Sequence, residues 1–196
     1  MPVPGTHGAT ASSADTSLRV GARVRRLRED RGLSLSALAR AAGIGKASLS
    51  ELEAGRRNAT LSTLYALAAP LGVPLAALLD EAVGAEVSGG GVTARLLDVR
   101  HHPDSTVETY VMHFAAGEVR HSPSHGAGVR EHLVVVRGAL QLGPDTQPCE
   151  AVAGEHVAFD ADVPHHYAAL GDEPAEGILV IVTPAGIPSR DRSDPP

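Results

Sequence analysis

The chain has 196 residues, 43% of them hydrophobic and 3% aromatic, with a formal net charge of −6 at pH 7. This length accommodates one medium domain or two small ones, and no apolar stretch approaches the roughly 20 residues that a membrane-spanning helix needs. The single cysteine, Cys149, excludes an internal disulfide, and the amino terminus lacks the features of a secretory signal. We therefore expect a cytoplasmic protein without a membrane segment.

The net charge hides an asymmetry between the two halves of the chain. Residues 18–80 carry ten Lys/Arg and five Asp/Glu, whereas residues 81–196 carry seven Lys/Arg and seventeen Asp/Glu. A basic first half joined to an acidic second half favours contact of the first half alone with a polyanion. Small domains also vary in charge by chance, so the charge leaves both interpretations open.

The first elements along the chain are helical. Residues 1–17 are small and polar and predict a disordered tail. Residues 18–80 predict five short helices, because apolar residues recur at helical spacing between capping and breaking residues. Ser34 and Thr60 are expected to cap the second and fourth helices, and the turn AGIG at 42–45 joins the second to the third. Two short helices joined by a glycine-containing turn indicate a helix-turn-helix.

After a linker predicted at residues 81–90, the periodicity changes from helical to alternating. Residues 91–184 contain six segments that predict short strands, with Gly, Pro and Asp turns between them: VTARLLDV, VETYVMHF, EHLVVVRG, ALQLG, HVAFD and GILVIVT. Many short strands without an intervening helix are typical of a small antiparallel barrel or sandwich. Residues 185–196 are predicted to form a flexible polar tail.

Four motifs follow one another in residues 18–80: R-x-x-R-G-L-S-L, L-A-x-x-A-G, S-L-S-E-L-E-A-G and L-x-x-L-Y-A-L-A. In this order and spacing they resemble the XRE-type, lambda-repressor-like domain. The resemblance implies a five-helix all-α domain that binds double-stranded DNA. The sequence departs from the family at Gly45, where Ser or Thr usually caps the recognition helix, and at Ala59, where proline is common.

The third helix of such a domain presents short or polar side chains to base edges in the major groove. Lys46 is expected to reach guanine, Ala47 a thymine methyl group and Glu51 a cytosine amino group. Ser48 and Ser50 share this part of the helix. Contacts to phosphates are expected from the residues that follow the helix, namely Arg56, Arg57 and Asn58.

The same resemblance implies an ion pair between Arg28 on the first helix and Glu53 at the end of the third. Taken singly, Lys46 or Glu51 could equally belong to a solvated helix face, so the DNA-binding prediction applies to the group. Domains of this kind usually dimerise and bind half-sites about one helical turn apart. We therefore expect a homodimer.

Two segments of the second half, HGAGVREHLVVVRG at 125–138 and AVAGEHVAFDADVPHHYAAL at 151–170, resemble the two cupin motifs. They imply an all-β cupin barrel, a double-stranded β-helix, over residues 91–184. An XRE-type domain, a linker and a cupin domain together are typical of transcriptional regulators, and the resemblance implies that the barrel binds a small-molecule effector.

In cupin enzymes, histidines and a glutamate from these motifs hold a metal ion, and such sets suit Fe(II), Mn or Zn. The matching residues here are His125, Glu131 and His165, with His121 as a possible fourth ligand and Tyr167 nearby in the second motif. These are the residues expected to bind an effector or a metal.

Two alternatives remain open for this site. Five residues separate His125 from Glu131, more than in the family, and Pro123 stands where a first histidine is expected. Both departures count against a divalent metal, and a metal-free barrel would use the same side chains to bind an organic effector. The alternative function is a mononuclear-metal cupin enzyme, an iron-dependent oxygenase or epoxidase that carries a helix-turn-helix-like domain. The imperfect motif and the basic first half favour a regulator without catalytic residues.

Overall fold

The computed structural model describes residues 13–185, an all-helical unit followed by an all-β unit. The predictions made for residues 1–12 and 186–196 lie outside the described residues. Five helices come first, with these bounds: α1 Ser13–Asp30, α2 Leu35–Ala41, α3 Lys46–Glu53, α4 Leu61–Leu71 and α5 Leu75–Leu78. Between residues 13 and 185, no helix combines the length and the apolar character that crossing a membrane requires.

The first helix begins at Ser13, inside the segment predicted to be a tail. Ser17 is buried, and its hydroxyl donates a hydrogen bond to Oδ1 of Asn58, 2.5 Å away. Leu18 packs so closely on the turn after α3 that a Cβ atom at Gly55 would lie 2.4 Å from it. The disordered tail is therefore wrongly predicted for residues 13–17, because these packing contacts hold an additional turn of α1.

The predicted caps of α2 and α4 are confirmed. The Ser34 hydroxyl accepts a hydrogen bond from the backbone N–H of Ala37, and the Thr60 hydroxyl accepts one from that of Thr63. The turn at 42–45 joins α2 to α3 in a helix-turn-helix. The apolar faces of the helices meet in a core whose fully buried members include Val24, Leu38, Leu49, Leu61, Leu64 and Leu67.

The second unit consists of ten strands: β1 Glu86–Gly89, β2 Val92–His101, β3 Ser105–Phe114, β4 Val119–Ser122, β5 Arg130–Arg137, β6 Ala139–Pro144, β7 Cys149–Val152, β8 His156–Asp160, β9 His165–Ala169 and β10 Ala175–Pro184. They form a six-stranded sheet in the order β1-β2-β3-β10-β5-β8 and a four-stranded sheet in the order β4-β9-β6-β7. Every paired strand is antiparallel to its neighbour. The predicted all-β cupin architecture is confirmed.

Four strands, β1, β4, β7 and β9, were not predicted. The first three have only four residues each, too few for an alternation to stand out, and β9, HHYAA, contains a single residue with a strong strand preference. Strand β1 lies inside the predicted linker and pairs with β2. Val87 of β1 is buried, and Gly90 and Gly91 take the positive φ angles, 62° and 72°, that a tight hairpin turn requires. The linker prediction is therefore wrong for residues 86–89.

Buried charged residues of the barrel bind the helical unit. Arg120 on β4 donates hydrogen bonds to Oγ of Ser62 on α4, at 3.0 Å, and to the carbonyl of Gly89, at 3.3 Å. Glu108 on β3 accepts a hydrogen bond from the backbone N–H of Ala76 on α5. These contacts place α4 and α5 against the barrel.

Candidate functional site

The outward face of α3 carries the residues predicted to contact bases. Leu49 and Leu52 are buried and hold the helix on the bundle. The opposite face is polar or small, with Lys46, Ala47, Ser50 and Glu51 exposed and Ser48 half-buried. A helix that presents such side chains beyond the surface of its domain has the form that major-groove recognition requires.

The residues predicted to contact phosphates differ in what they do in the fold. Arg56 and Arg57 are both exposed. Arg57 lies back against α3, with Nη1 3.4 Å from Oγ of Ser48 and 3.9 Å from Oε2 of Glu51. Asn58 uses its amide oxygen to accept the hydrogen bond from Ser17. The two arginines are therefore the cations that this loop can offer to a phosphate backbone.

Arg28 and Glu53 form a bidentate ion pair beneath α3. Nε and Nη2 of Arg28 donate to the two carboxylate oxygens of Glu53 at 2.7 and 2.8 Å, and the side chains are 11% and 7% exposed. Nη1 of Arg28 also donates to the carbonyl of Leu33. The hydrogen bond that Arg28 donates to the Glu53 carboxylate raises the pKa of Arg28. The pair holds α3 to α1 in a fixed orientation.

Three side chains meet inside the barrel: His125 from the β4–β5 loop, Glu131 from β5 and His165 from the start of β9. One nitrogen or oxygen atom of each lies within 4.8 Å of the others. The side chains are 4%, 0% and 0% exposed, respectively. The loop accommodates the long spacing between His125 and Glu131. Within it, the backbone N–H of His125 donates a hydrogen bond to the carbonyl of Ala161.

The three side chains lie close together without forming hydrogen bonds to one another. Nε2 of His125 is 3.1 Å from Oε1 of Glu131, but the two atoms do not have hydrogen-bond geometry. Nε2 of His165 is 3.8 Å from Oε2 of Glu131 and also lacks a hydrogen-bond partner. Because unpaired buried polar atoms are costly, this arrangement suits a ligand or ion that would pair with them.

Neighbouring groups determine which nitrogen of His165 carries the proton and how the Glu131 carboxylate is oriented. Nδ1 of His165 donates to the carbonyl of Val163, which leaves Nε2 of the neutral ring without a proton. Burial lowers the pKa of His165 and so favours that neutral ring. The Tyr167 hydroxyl donates to Oε2 of Glu131. Two imidazoles and an oriented carboxylate are a donor set that fits Fe(II), Mn²⁺ or Zn²⁺.

His121 does not belong to this cluster. On β4, Arg120 and Ser122 are buried, whereas the side chain of His121 is 72% exposed. Its Nδ1 atom lies 3.9 Å from Oδ1 of Asp145. The prediction of His121 as a fourth ligand is therefore wrong, because strand alternation turns it away from the barrel interior.

The site also contains a residue that the sequence did not single out. The ring of Tyr65, on α4, stacks on the His125 ring with centroids 3.7 Å apart and planes 3° from parallel. The Arg120 guanidinium lies 5.8 Å from the Tyr65 centroid. The family motif L-x-x-L-Y-A-L-A contains this tyrosine, but helical periodicity assigns it only to the core of the helical unit. Its place in the barrel site depends on how the two units dock.

Comparison with known proteins matches each unit to a family. The helix-turn-helix family model matches residues 24–78, and the cupin domain model matches residues 110–182. The chain is 32% identical over 154 residues to the HTH-type transcriptional regulator SutR of Escherichia coli (strain K12), covering 76% of this chain and 86% of that protein. It is 47% identical over 58 residues to the HTH-type transcriptional regulator DdrOP3 of Deinococcus deserti, covering 30% of this chain and 45% of that protein.

A solved structure matches nearly the whole fold. The crystal structure of an HTH_3 family transcriptional regulator from Vibrio cholerae superposes with a TM-score of 0.78 and 27% sequence identity. The match covers 88% of this chain and 99% of that one. The order and packing of the helical and barrel units are thus shared with a transcriptional regulator.

Proposed function

The chain belongs to the HTH-type transcriptional regulators of the XRE type that carry a carboxy-terminal cupin domain, and from this premise we propose that it binds operator DNA and senses a small effector in its barrel. The observation that carries the DNA-binding part is the outward face of α3, which presents Lys46, Ala47, Ser50 and Glu51. The basic charge of residues 18–80 supports the same assignment.

The DNA-binding proposal is tested with duplex DNA from upstream of the protein's own gene. Fluorescence anisotropy at several salt concentrations should give an affinity that falls as salt rises, because contacts of Arg56 and Arg57 release counterions from phosphates. An unrelated duplex of equal length is the control and should bind more weakly. Equal affinity for both duplexes would contradict sequence-specific regulation.

The sensing part of the proposal rests on His125, Glu131 and His165. Their unpaired buried atoms would bind a small effector either directly or through a divalent ion. Effector binding changes DNA affinity only if the effector binds two states of the protein differently. A change in operator affinity when the site is filled, lost after His165→Ala, would support this role.

The oligomeric state and the location complete the proposal. A homodimer would place two copies of α3 on half-sites about one helical turn of DNA apart. The protein would act in the cytoplasm, where bacterial operators lie. Sedimentation of the purified chain with and without operator DNA tests the dimer, and a monomer on a single half-site would contradict it.

The same three residues support a second candidate, a mononuclear-metal enzyme. Two histidines and a carboxylate with open positions are the ligand set of non-haem iron oxygenases. Stoichiometric iron in purified protein together with oxygen-dependent turnover would favour the enzyme. Salt-sensitive operator binding without turnover would favour the regulator, which the family membership supports.

A further inference from the structure

A residue of the DNA-binding unit forms one wall of the barrel site. Tyr65 lies on α4 and is 5% exposed, and its ring covers one face of the His125 imidazole. On the other side, the His125 ring meets the His165 ring at 84°, with centroids 4.7 Å apart. His125 is therefore held between the helical unit and the deepest histidine of the site.

The space that Tyr65 and His125 share has no room for an organic molecule. The cavity between the helical unit and the barrel has a volume of about 10 Å³, the size of one water molecule. Both units line it, with Tyr65, Ala68 and Leu75 on one side and Glu108, His125 and Ile181 on the other. A larger molecule can reach His125 from this side only if Tyr65 moves.

Tyr65 leaves His125 only together with α4, because its ring is 5% exposed and the cavity beside it, about 10 Å³, is too small for the ring to rotate into. Its neighbours on the helix, Leu61, Leu64 and Leu67, are fully buried in the core of the helical unit. The buried core continues from Leu49 of α3 through α4 into the barrel, but α1 contacts both α3 and α4, so the recognition helix and α4 move together. Displacement of Tyr65 from His125 therefore displaces the DNA-binding surface relative to the barrel.

We propose that Tyr65 is a lid that couples the two units: a ligand entering the barrel site separates Tyr65 from His125, undocks α4 and reorients α3. The consequence for DNA rests on the proposed sensing function. The lid itself is testable without DNA and without an effector, so the two proposals can fail separately.

A competing route into the site would lead past Phe159, which contacts His165. An open groove of about 580 Å³ runs beside β8 and the β6–β7 turn, and Phe159 and Val163 line it. The Phe159 ring is 7% exposed, with its centroid 5.3 Å from that of His165. Entry through this groove would leave Tyr65 in place, so Phe159 supplies the matched comparison for Tyr65.

The first experiment measures how fast diethyl pyrocarbonate modifies His125 and His165, with each site resolved by peptide mass spectrometry. The reagent tests whether a molecule larger than water can reach these two histidines. Tyr65→Ala should accelerate both modifications at least about tenfold, because modification of a buried group follows the population of the open state. Tyr65→Phe keeps the stacked ring and should stay within about twofold of wild type, and Phe159→Ala should do the same.

The second experiment leaves Tyr65 intact and prevents α4 from undocking. A Cβ atom at Gly89 would lie 3.2 Å from Cβ of Thr60, close to the separation of about 3.5–4.5 Å in disulfides. The variant Thr60→Cys/Gly89→Cys, with Cys149→Ser to remove the exposed thiol, should therefore form a crosslink between α4 and the barrel. The same variant, reduced and alkylated, is its own control.

The crosslinked form should modify His125 and His165 at least about fivefold more slowly than the reduced and alkylated form, because only the latter can open. Acceleration by Phe159→Ala but not by Tyr65→Ala would overturn the proposal, as would equal rates in the crosslinked and reduced forms. If Tyr65→Ala fails to fold, the crosslink comparison decides. A confirmed lid in a protein that binds no duplex DNA would refute the proposed function and leave the lid standing.

Discussion

The carboxylate of Glu108, in the barrel, accepts a hydrogen bond from the backbone N–H of Ala76 in the first turn of α5. The residue at the N-cap of α5 is Pro74, which makes no side-chain hydrogen bond to the helix. Glu108 therefore caps a helix of the other unit. The Tyr110 hydroxyl donates to the same carboxylate oxygen, whereas Oε2 of Glu108 has no partner.

Burial raises the pKa of Glu108 to about 7, against the hydrogen bonds from Ala76 and Tyr110, which lower it. Below pH 4.5, the ordinary pKa that Glu108 has in the unfolded chain, its carboxyl group is protonated in both the folded and the unfolded state. Its burial then carries no cost for removing a charge from water. As pH rises from there to 7, the unfolded state releases the proton first, so the free energy of unfolding falls by roughly 3 kcal/mol. Glu108→Gln should remove this loss. Urea unfolding of both proteins at pH 5 and pH 8 measures it, and identical pH dependence would contradict the assignment.

The Arg28–Glu53 pair should contribute strongly to stability. Arg28→Ala leaves the Glu53 carboxylate, 7% exposed, without its partner, and should lower the free energy of unfolding by about 3 kcal/mol. Arg25→Ala is the matched control, because the Arg25–Glu29 pair is exposed and should contribute less than about 1 kcal/mol. Denaturation followed by helical circular dichroism compares the two. Equal losses would show that burial of the pair does not matter.

The glycines around the turn before α3 should respond oppositely to serine. Gly45 is the N-cap with φ −64° and ψ 135°, and an added Cβ would make only ordinary contact with Ser48. Gly45→Ser should raise the free energy of unfolding by about 0.5 kcal/mol by capping α3. Gly43 has φ 65° with open space around an added Cβ, so Gly43→Ser should cost about 1 kcal/mol through backbone strain alone. A lower melting temperature for Gly45→Ser, or a higher one for Gly43→Ser, would contradict the corresponding assignment.

The DNA contacts should separate into two kinds. Arg57→Ala should weaken binding to every duplex and lower the salt slope by about one, whereas the exposed barrel residue Arg95, changed to Ala, should have no effect. Lys46→Ala should instead change the preference among sequences, by about 1–3 kcal/mol at one base position. Anisotropy over a panel of single-base operator variants measures both. Equal losses on all sequences after Lys46→Ala would exclude base contact.

The barrel site should depend on His165 but not on His121. Co²⁺, whose visible absorption reports coordination by histidine, should bind the wild-type protein and be removed by EDTA. His165→Ala should weaken Co²⁺ binding at least about tenfold, because it removes one of three donors. His121→Ala should leave binding unchanged, since that side chain is 72% exposed and outside the cluster. DNA binding in the absence of Co²⁺ should survive both changes. Loss of Co²⁺ binding only after His121→Ala would reverse the assignment.

The features of this protein that could be predicted depend on residues close together in the chain. The caps at Ser34 and Thr60 and the outward face of α3 follow from local spacing, because a helix is built from neighbours three and four residues apart. The motif around Glu131 and the one around His165 likewise indicated the barrel and three residues of its site, His125, Glu131 and His165. Short strands such as β1 escaped, because alternation over four residues has too few positions to be recognised.

Tertiary structure alone decided which side chains share the barrel site. His121 was excluded by the direction of β4, whereas His125 keeps its predicted place despite the longer spacing because its loop bends onto Ala161. Tyr65 and Glu108 look like ordinary core and strand residues until the helical unit docks on the barrel. No local periodicity encodes contacts between residues so distant in the chain, because they arise from the shapes and unpaired polar groups of two separately folded surfaces.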